Sequence, residues 1–457
     1  MSGRVVALAC LAAFATAAHA LPDDAAVKAL LDQRIAQKRA MGLAAVLYDK
    51  GTTRIVTAGV ARADGPPIAA DTEFEIGSVT KTFTALLLAD AVVRGQATLD
   101  DPVTTYVDAK GLTRDGKTVT LGQLATHSSG LPRLPKNLSP ADPADPYADY
   151  DAAKLLAFLE GDVLQRTPGS AYEYSNLGAG LLGYALTKSG GGYEKVLRER
   201  VLRPMDMTDT AITLSPSQRS RFASGHDIQL HPVGPWRLDA LAGAGALRST
   251  PADMKKYLRT AVDPSASPLA AAWKLVETPL ADGPSPSLRM ALAWHVAERE
   301  GRSIVWHNGQ TGGFATMMAF DPATREGVVV MSNAAIGVDD LAFHLLDDSI
   351  PLSAPPKHRE AVKLDPATLD RITGRYELAR DFVLTIRRDG DRVVAQATGQ
   401  PEAEIFAESE HAFFYKVVDA QLTIVRAPDG HVTGLVLHQG GRDIKARRMD
   451  QDGAGKQ

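Results

Sequence analysis

The sequence predicts a mixed α/β domain followed by a small closed antiparallel β-barrel. Strand patterns stand at both ends of a long segment whose middle reads as helices, so one sheet must be assembled from distant pieces. A proline-rich stretch, 351–360 (PLSAPPKHRE), then separates this segment from a region where short strands recur with almost no helix.

In the first region, Val27, Leu30, Leu31, Ile35 and Ala36 recur at helical spacing among charges, which predicts an amphipathic helix over 24–40. Residues 43–48 and 54–58 read as two strands joined by a turn at Gly51. A helix follows over 78–94, ended by Gly95. The proline-rich stretch 130–147 is an irregular loop by composition. A Gly/Ala-rich helix spans 176–188 and stops at Gly190-Gly191-Gly192. Strands return at 290–297, 303–306, 315–320 and 327–332. Beyond the linker, strands are expected at 374–378, 382–388, 392–397, 403–407, 412–418, 421–426, 432–438 and 442–448. Asp389-Gly390, Asp429-Gly430 and Gly440-Gly441 supply hairpin turns between them.

A length of 457 residues fits two or three domains, and 45% hydrophobic with 23% charged residues excludes wholesale disorder. Lys+Arg 50 against Asp+Glu 54 gives a net charge of −4, which provides no electrostatic reason for nucleic-acid binding. The single cysteine, Cys10, excludes a disulfide framework and any Cys-based zinc site. Arg4, an apolar run over 5–18 and the small-x-small triplet Ala18-His19-Ala20 read as a signal peptide over 1–20. Its apolar stretch is too short to span a bilayer, and no later stretch is long and apolar enough to do so. The expectation is export, to the periplasm, of a chain without thiols. Any nucleophile must then be a hydroxyl.

Ser78-Val79-Thr80-Lys81 provides one where a helix begins. Residues three apart share a helix face, so the amine of Lys81 can reach the hydroxyl of Ser78. A serine hydroxyl is a weak nucleophile until a neighbouring base takes its proton, and a lysine serves if its pKa is lowered. Tyr174-Ser175-Asn176 follows a Pro168-Gly169 turn. A phenol near Ser78 can shuttle a proton, and an amide can hold a substrate carbonyl. His307-Asn308-Gly309-Gln310-Thr311-Gly312-Gly313-Phe314 follows a strand, with glycines that permit close approach of a substrate. Two shorter look-alikes, Lys188-Ser189-Gly190 and His438-Gln439-Gly440, lie in a helix-ending loop and in the barrel region. There is no G-x-S-x-G elbow, H-E-x-x-H motif or phosphate-binding loop. His226 and His231 are five apart, the wrong offset for joint ligation from one helix face, so no metal is expected.

The order Ser-x-x-Lys, Tyr-x-Asn, then a strand ending in His-x-Gly resembles the penicillin-recognising serine hydrolases, in their class C β-lactamase branch. Glu75–Thr84, Leu99-Asp100-Asp101-Pro102-Val103, Leu124-Ala125-Thr126-His127-Ser128-Ser129-Gly130-Leu131-Pro132 and Gln310–Phe314 continue the likeness. The resemblance implies a mixed sheet flanked by helices, an inserted helical domain, and an active site in the cleft between them. It implies that Ser78 is the acylated nucleophile, Lys81 its partner, and Tyr174 a participant in proton transfer. Either Lys81 or Tyr174 can be the base. Ser78 and Gln310 would contribute backbone N–H groups to an oxyanion hole, with Asn176, His307 and Gly309 binding the substrate. It implies no cofactor, and a small-molecule or peptide substrate: a β-lactam, a D-alanyl-terminated peptide or an ester.

Two departures from class C enzymes matter. His307 stands where they carry lysine, and Leu134-Pro135 stand near a customary substrate-binding glutamine. Both occur in relatives that are D-alanyl-D-alanine carboxypeptidases, endopeptidases or esterases. The C-terminal region resembles the lipocalin-like barrel appended to such relatives, its aromatic residues (Phe413, Phe414, Tyr415) packing its own core or closing over the cleft. The expected division is therefore signal 1–20, hydrolase 21–350, linker 351–361, barrel 362–449 and tail 450–457.

Overall fold

The computed structural model describes residues 21–449 apart from 300–301, 355–358, 380–381, 399–401, 417, 419 and 440–441; the expected signal and tail lie outside the described residues. Helix α1 (Asp24–Ala36) starts where the Asp23 side chain accepts the Ala26 N–H at 2.8 Å, and buries Val27 and Leu31. Strands β1 (Gly42–Asp49) and β2 (Thr52–Gly59) form the expected hairpin. Its two-residue turn puts both Lys50 (φ 46°) and Gly51 (φ 108°) in left-handed space, as the strand twist demands. Three longer helices follow, α2 (Thr80–Val93), α3 (Asn176–Thr187) and α4 (Pro251–Val262), the last packed on the sheet.

The chain returns to the sheet through β3 (Ala281–Asp282), β4 (Leu288–Met290), β5 (His295–Arg299), β6 (Arg302–Gln310), β7 (Ala315–Asp321) and β8 (Glu326–Ser332), followed by helix α5 (Asp339–Leu346). The sheet order is β2-β1-β8-β7-β6-β5-β4-β3, with Leu43 opposite Ser332, so both ends of the domain meet in one antiparallel pair. The single strand expected over 290–297 is instead a tight hairpin. Ala293 takes φ 62° and the Ala291 N–H reaches the Trp294 carbonyl at 2.9 Å, because this apolar run turns inside the core.

Strand β1 is covered on both faces, which explains its continuous apolar run. Leu43, Ala45 and Leu47 pack with α1 and α5, while Ala44, Val46 and Tyr48 face a larger core containing Phe83 of α2 and Met254, Tyr257 and Leu258 of α4. Helix α2 is buried from Thr80 through Asp90, as a helix apolar almost all round must be. In α3, glycine allows close approach: a Cβ on Gly183 would lie 2.9 Å from the Gly243 Cα.

The C-terminal region is a closed eight-stranded antiparallel barrel. Its strands are β9 (Gly374–Ala379), β10 (Phe382–Asp389), β11 (Arg392–Ala397), β12 (Ala403–Ala407), β13 (Ala412–Tyr415), β14 (Ala420–Arg426), β15 (Val432–Gln439) and β16 (Arg442–Met449). One short helix, α6 (Pro366–Ile372), was not anticipated; Asp365 caps it and Leu369 and Ile372 pack into the barrel core. Tyr376, Leu384, Ile386, Phe413, Leu422 and Leu435 fill that core. Phe414 does not join it and pairs instead with Phe406, ring centroids 5.9 Å apart.

Candidate active site

Ser78 sits in a 3-10 turn (Gly77–Val79) that leads into α2, one turn ahead of the helix proper. Lys81 therefore projects back toward it, with Nζ 2.9 Å from Ser78 Oγ. The same nitrogen lies 2.9 Å from Asn176 Oδ1 and 2.7 Å from the Ala244 carbonyl. Lys81 is buried, and burial, then the charge of Arg133, holds its pKa well below the ordinary lysine value.

Tyr174 lies beside this pair: Lys81 Nζ is 4.9 Å from its ring centroid. Burial pushes the phenol up to about 12, against the opposing effects of a hydrogen bond with Ser78 and the charge of Arg133. Asn176 opens α3, whose N-cap is Ser175: its Oγ accepts the Gly178 N–H at 2.8 Å and donates to the Pro132 carbonyl at 2.7 Å. The loop 127–133 braces the segment further. The His127 carbonyl accepts the Glu173 N–H, and the Arg133 carbonyl accepts those of Asn176 and Leu177.

Strand β6 brings the third motif to the same place. A Cβ on Gly77, which takes φ 50°, would be 2.6 Å from the Gln310 backbone nitrogen. The turn bearing Ser78 is thus in backbone contact with Gln310. The Gln310 side chain points elsewhere, donating to the Ala335 carbonyl at 2.8 Å. Gly309 provides room for this packing. His307 is fully buried, with its ring centroid 6.3 Å from that of Tyr174. Nδ1 lies 2.6 Å from the Asn308 carbonyl, which requires an N–H there, so Nε2 is left as a buried acceptor without a partner among the described residues. Burial first, then His295 and Lys81, holds its pKa well below 6.5, so at neutral pH it is an uncharged imidazole. His295, at 5.4 Å between ring centroids, is likewise lowered by burial, to about 4.

Ser78, Lys81, Tyr174, Asn176, His307, Gly309 and Gln310 therefore converge from three separate segments. The look-alikes do not. Lys188–Gly190 forms a 3-10 turn beyond α3, and His438 lies on β15, bonded to Thr423 and Asp443. Sequence reasoning missed several neighbours. Tyr147 is buried and packs on Trp236 with ring centroids 5.4 Å apart; burial raises its phenol above the ordinary tyrosine value, with Asn176 acting against this. Arg133 Cζ is 5.1 Å from the Tyr174 ring centroid. His127 is buried under Tyr174, 4.5 Å between ring centroids, at φ 57°. Tyr147 closes the proline-rich stretch 130–147, which carries no chemical signal; His127 lies in the 124–132 segment already singled out, and Arg133 directly follows it. Among the described residues no cluster of His, Cys, Asp or Glu is placed to hold a metal ion, and no helix is long and apolar enough to cross a membrane.

A mixed sheet, helices over both faces and a half-buried serine paired with a buried lysine together define a serine hydrolase of the penicillin-recognising type. The chain matches the Beta-lactamase family over residues 27–347 and belongs to it; residues 358–454 match a domain of unknown function, DUF3471. It is 29% identical over 301 residues to the D-alanyl-D-alanine-carboxypeptidase/endopeptidase AmpH of Escherichia coli K12, covering 60% of this chain and 77% of that one. It is 27% identical over 343 residues to a beta-lactamase of Pseudomonas fluorescens, covering 67% and 92%. A third relative, the unguisins hydrolase ungD' of Aspergillus campestris, is 28% identical over 341 residues, covering 69% and 63%.

Proposed function

We propose that this protein is an exported class C-type acyl hydrolase that cleaves D-alanyl-type amides or β-lactams through a covalent acyl-Ser78 enzyme. One observation carries the reading: the buried Lys81 amine, its pKa lowered, 2.9 Å from Ser78 Oγ. A neutral amine has two N–H groups and a lone pair. The two N–H groups go to Asn176 Oδ1 and the Ala244 carbonyl, and the lone pair faces the Ser78 hydroxyl. Lys81 is then the base and takes the Ser78 proton as Oγ bonds to the substrate carbonyl carbon. The opposite displacement of the two pKa values favours this division, since Tyr174 keeps its proton at neutral pH and can only donate.

The tetrahedral oxyanion accepts hydrogen bonds from the backbone N–H groups of Ser78 and Gln310. As the C–N bond breaks, the Tyr174 hydroxyl protonates the leaving nitrogen and is itself reprotonated from Lys81. Water, deprotonated by the same amine, then releases the acyl group. Asn176 holds the Lys81 amine in place and offers its amide N–H groups to the substrate carbonyl. Neutral His307 offers its unpaired Nε2 as an acceptor to the substrate. Because it carries no charge, carboxylester hydrolysis at the same serine is the second reading.

The test is a panel of D-Ala-D-Ala peptides, β-lactams and short-chain aryl esters against wild type and Ser78→Ala, with mass spectrometry of the penicillin-treated protein. We expect a penicilloyl adduct on Ser78 and loss of peptide or lactam cleavage in the variant. Turnover of esters alone, without any adduct, overturns the leading reading in favour of the esterase.

A further inference from the structure

We propose that the Arg133 guanidinium is the cation that receives the carboxylate of an anionic substrate at this site. The inference rests on the acyl-serine reading of Ser78 and adds to it the charge that the substrate must carry.

A site acting on substrates with a free carboxylate needs a positive charge near the nucleophile, and the obvious groups are occupied or uncharged. Lys81 is buried, with Nζ on Ser78 Oγ, Asn176 Oδ1 and the Ala244 carbonyl. His307 is fully buried, and its one N–H is turned onto the neighbouring Asn308 carbonyl. Arg133 differs in each respect. Its side chain is exposed and makes no hydrogen bond or ion pair with any described residue. Arg248, by contrast, is buried and held by Glu75 at 3.0 Å and by the Trp236 carbonyl at 2.9 Å.

Position supports the role as well. The Arg133 backbone is anchored, its carbonyl accepting the N–H groups of Asn176 at 3.0 Å and Leu177 at 3.2 Å, with Pro132 before it. The guanidinium stands over the Tyr174 face at 5.1 Å. A stacked guanidinium keeps its N–H edge free, and that planar fork matches a carboxylate in a way an ammonium cannot. Its charge also reaches Lys81, Tyr174, Tyr147 and His127, so it lies within electrostatic range of the whole cluster.

The experiment uses two arylboronic acids that trap the serine reversibly, one with a meta carboxylate and one with a carboxamide there. Dissociation constants are measured for wild type, Arg133→Ala, Arg133→Lys and Ser78→Ala. The readout is the ratio of the two constants, which a merely structural role would not move. Charge-assisted hydrogen bonds of this kind correspond to about a 10- to 100-fold preference. Wild type should favour the carboxylate, Arg133→Ala should lose that preference, and Arg133→Lys should recover part of it. An unchanged ratio in Arg133→Ala, or equal weakening of both ligands, overturns the proposal. Undiminished binding of both boronates to Ser78→Ala instead overturns the acyl-serine reading, so the two failures are distinguishable.

Discussion

Gly309 packs so closely on the turn that carries Ser78 that a Cβ there would overlap the Ile76 carbonyl and lie 2.9 Å from the Ser78 nitrogen. Strand β6 can reach the start of α2 only because this position has no side chain. Gly309→Ala should force the two backbones apart by a fraction of an ångström or more. Displacements of this kind near the reacting atoms cost about 100-fold in rate, whereas overpacking costs only about 1–3 kcal/mol in stability. The expected outcome is a folded protein with kcat/KM reduced on every substrate. Unchanged kinetics would show that the contact does not hold the site.

The acid–base assignment is read from pH. Lys81 acts as a base only when neutral, so kcat/KM for an uncharged ester should rise as pH rises through its pKa, well below the usual lysine range. The profile should then stay level to about pH 10, because Tyr174 ionises only at about 12. Lys81→Ala should lose about 100- to 10,000-fold and abolish the rising limb. A falling limb near neutrality would identify a protonated group as the essential one.

His307 gives a contrasting expectation. With its pKa well below 6.5, it stays uncharged as pH drops from about 8 to about 6.5. The KM of a carboxylate-bearing substrate should therefore be level over that interval. A KM that falls as pH drops, absent from the carboxamide analogue, would show His307 binding as a cation after all.

Stability carries its own pH signature. Burial, with the negative charge of Asp209, pushes Glu73 up to about 8 from an ordinary 4.5, against the pull of Arg221. Below pH 4.5 the group is protonated in both states. Between about 4.5 and 8 only the folded chain retains the proton, so Glu73 lowers stability progressively as pH rises through that window. Glu73→Gln should thus match wild type near pH 4.5 and exceed it at pH 8 by about 1–4 kcal/mol in urea unfolding. Equal gains at both pH values would assign the effect to packing.

Much of this site was legible in the chain because its chemistry is local. Ser78 and Lys81 are three apart, so helix geometry alone makes them neighbours, and Tyr174 and Asn176 bracket a helix cap. The barrel was legible for a similar reason: each strand pairs with the next, joined by hairpin turns with their own residue signature. The tight turn at Ala291–Trp294 was not, since an apolar run with no Gly or Pro reads as one strand. Helix α4 carries a start signal in the sequence, Thr250 as its cap and Pro251 as its first residue, but lies between the strand patterns from which the sheet is read.

The amino-acid order by itself determined the candidate hydroxyl at Ser78, the Ser–Lys spacing, the presence of Tyr174 and the two-part architecture, because each follows from short-range periodicity or residue chemistry. Only the tertiary structure decided which groups carry charge. Burial holds Lys81 and His307 at lowered pKa values and leaves Arg133 exposed over Tyr174. Desolvation depends on everything packed around a side chain, brought there from segments tens to more than a hundred residues away.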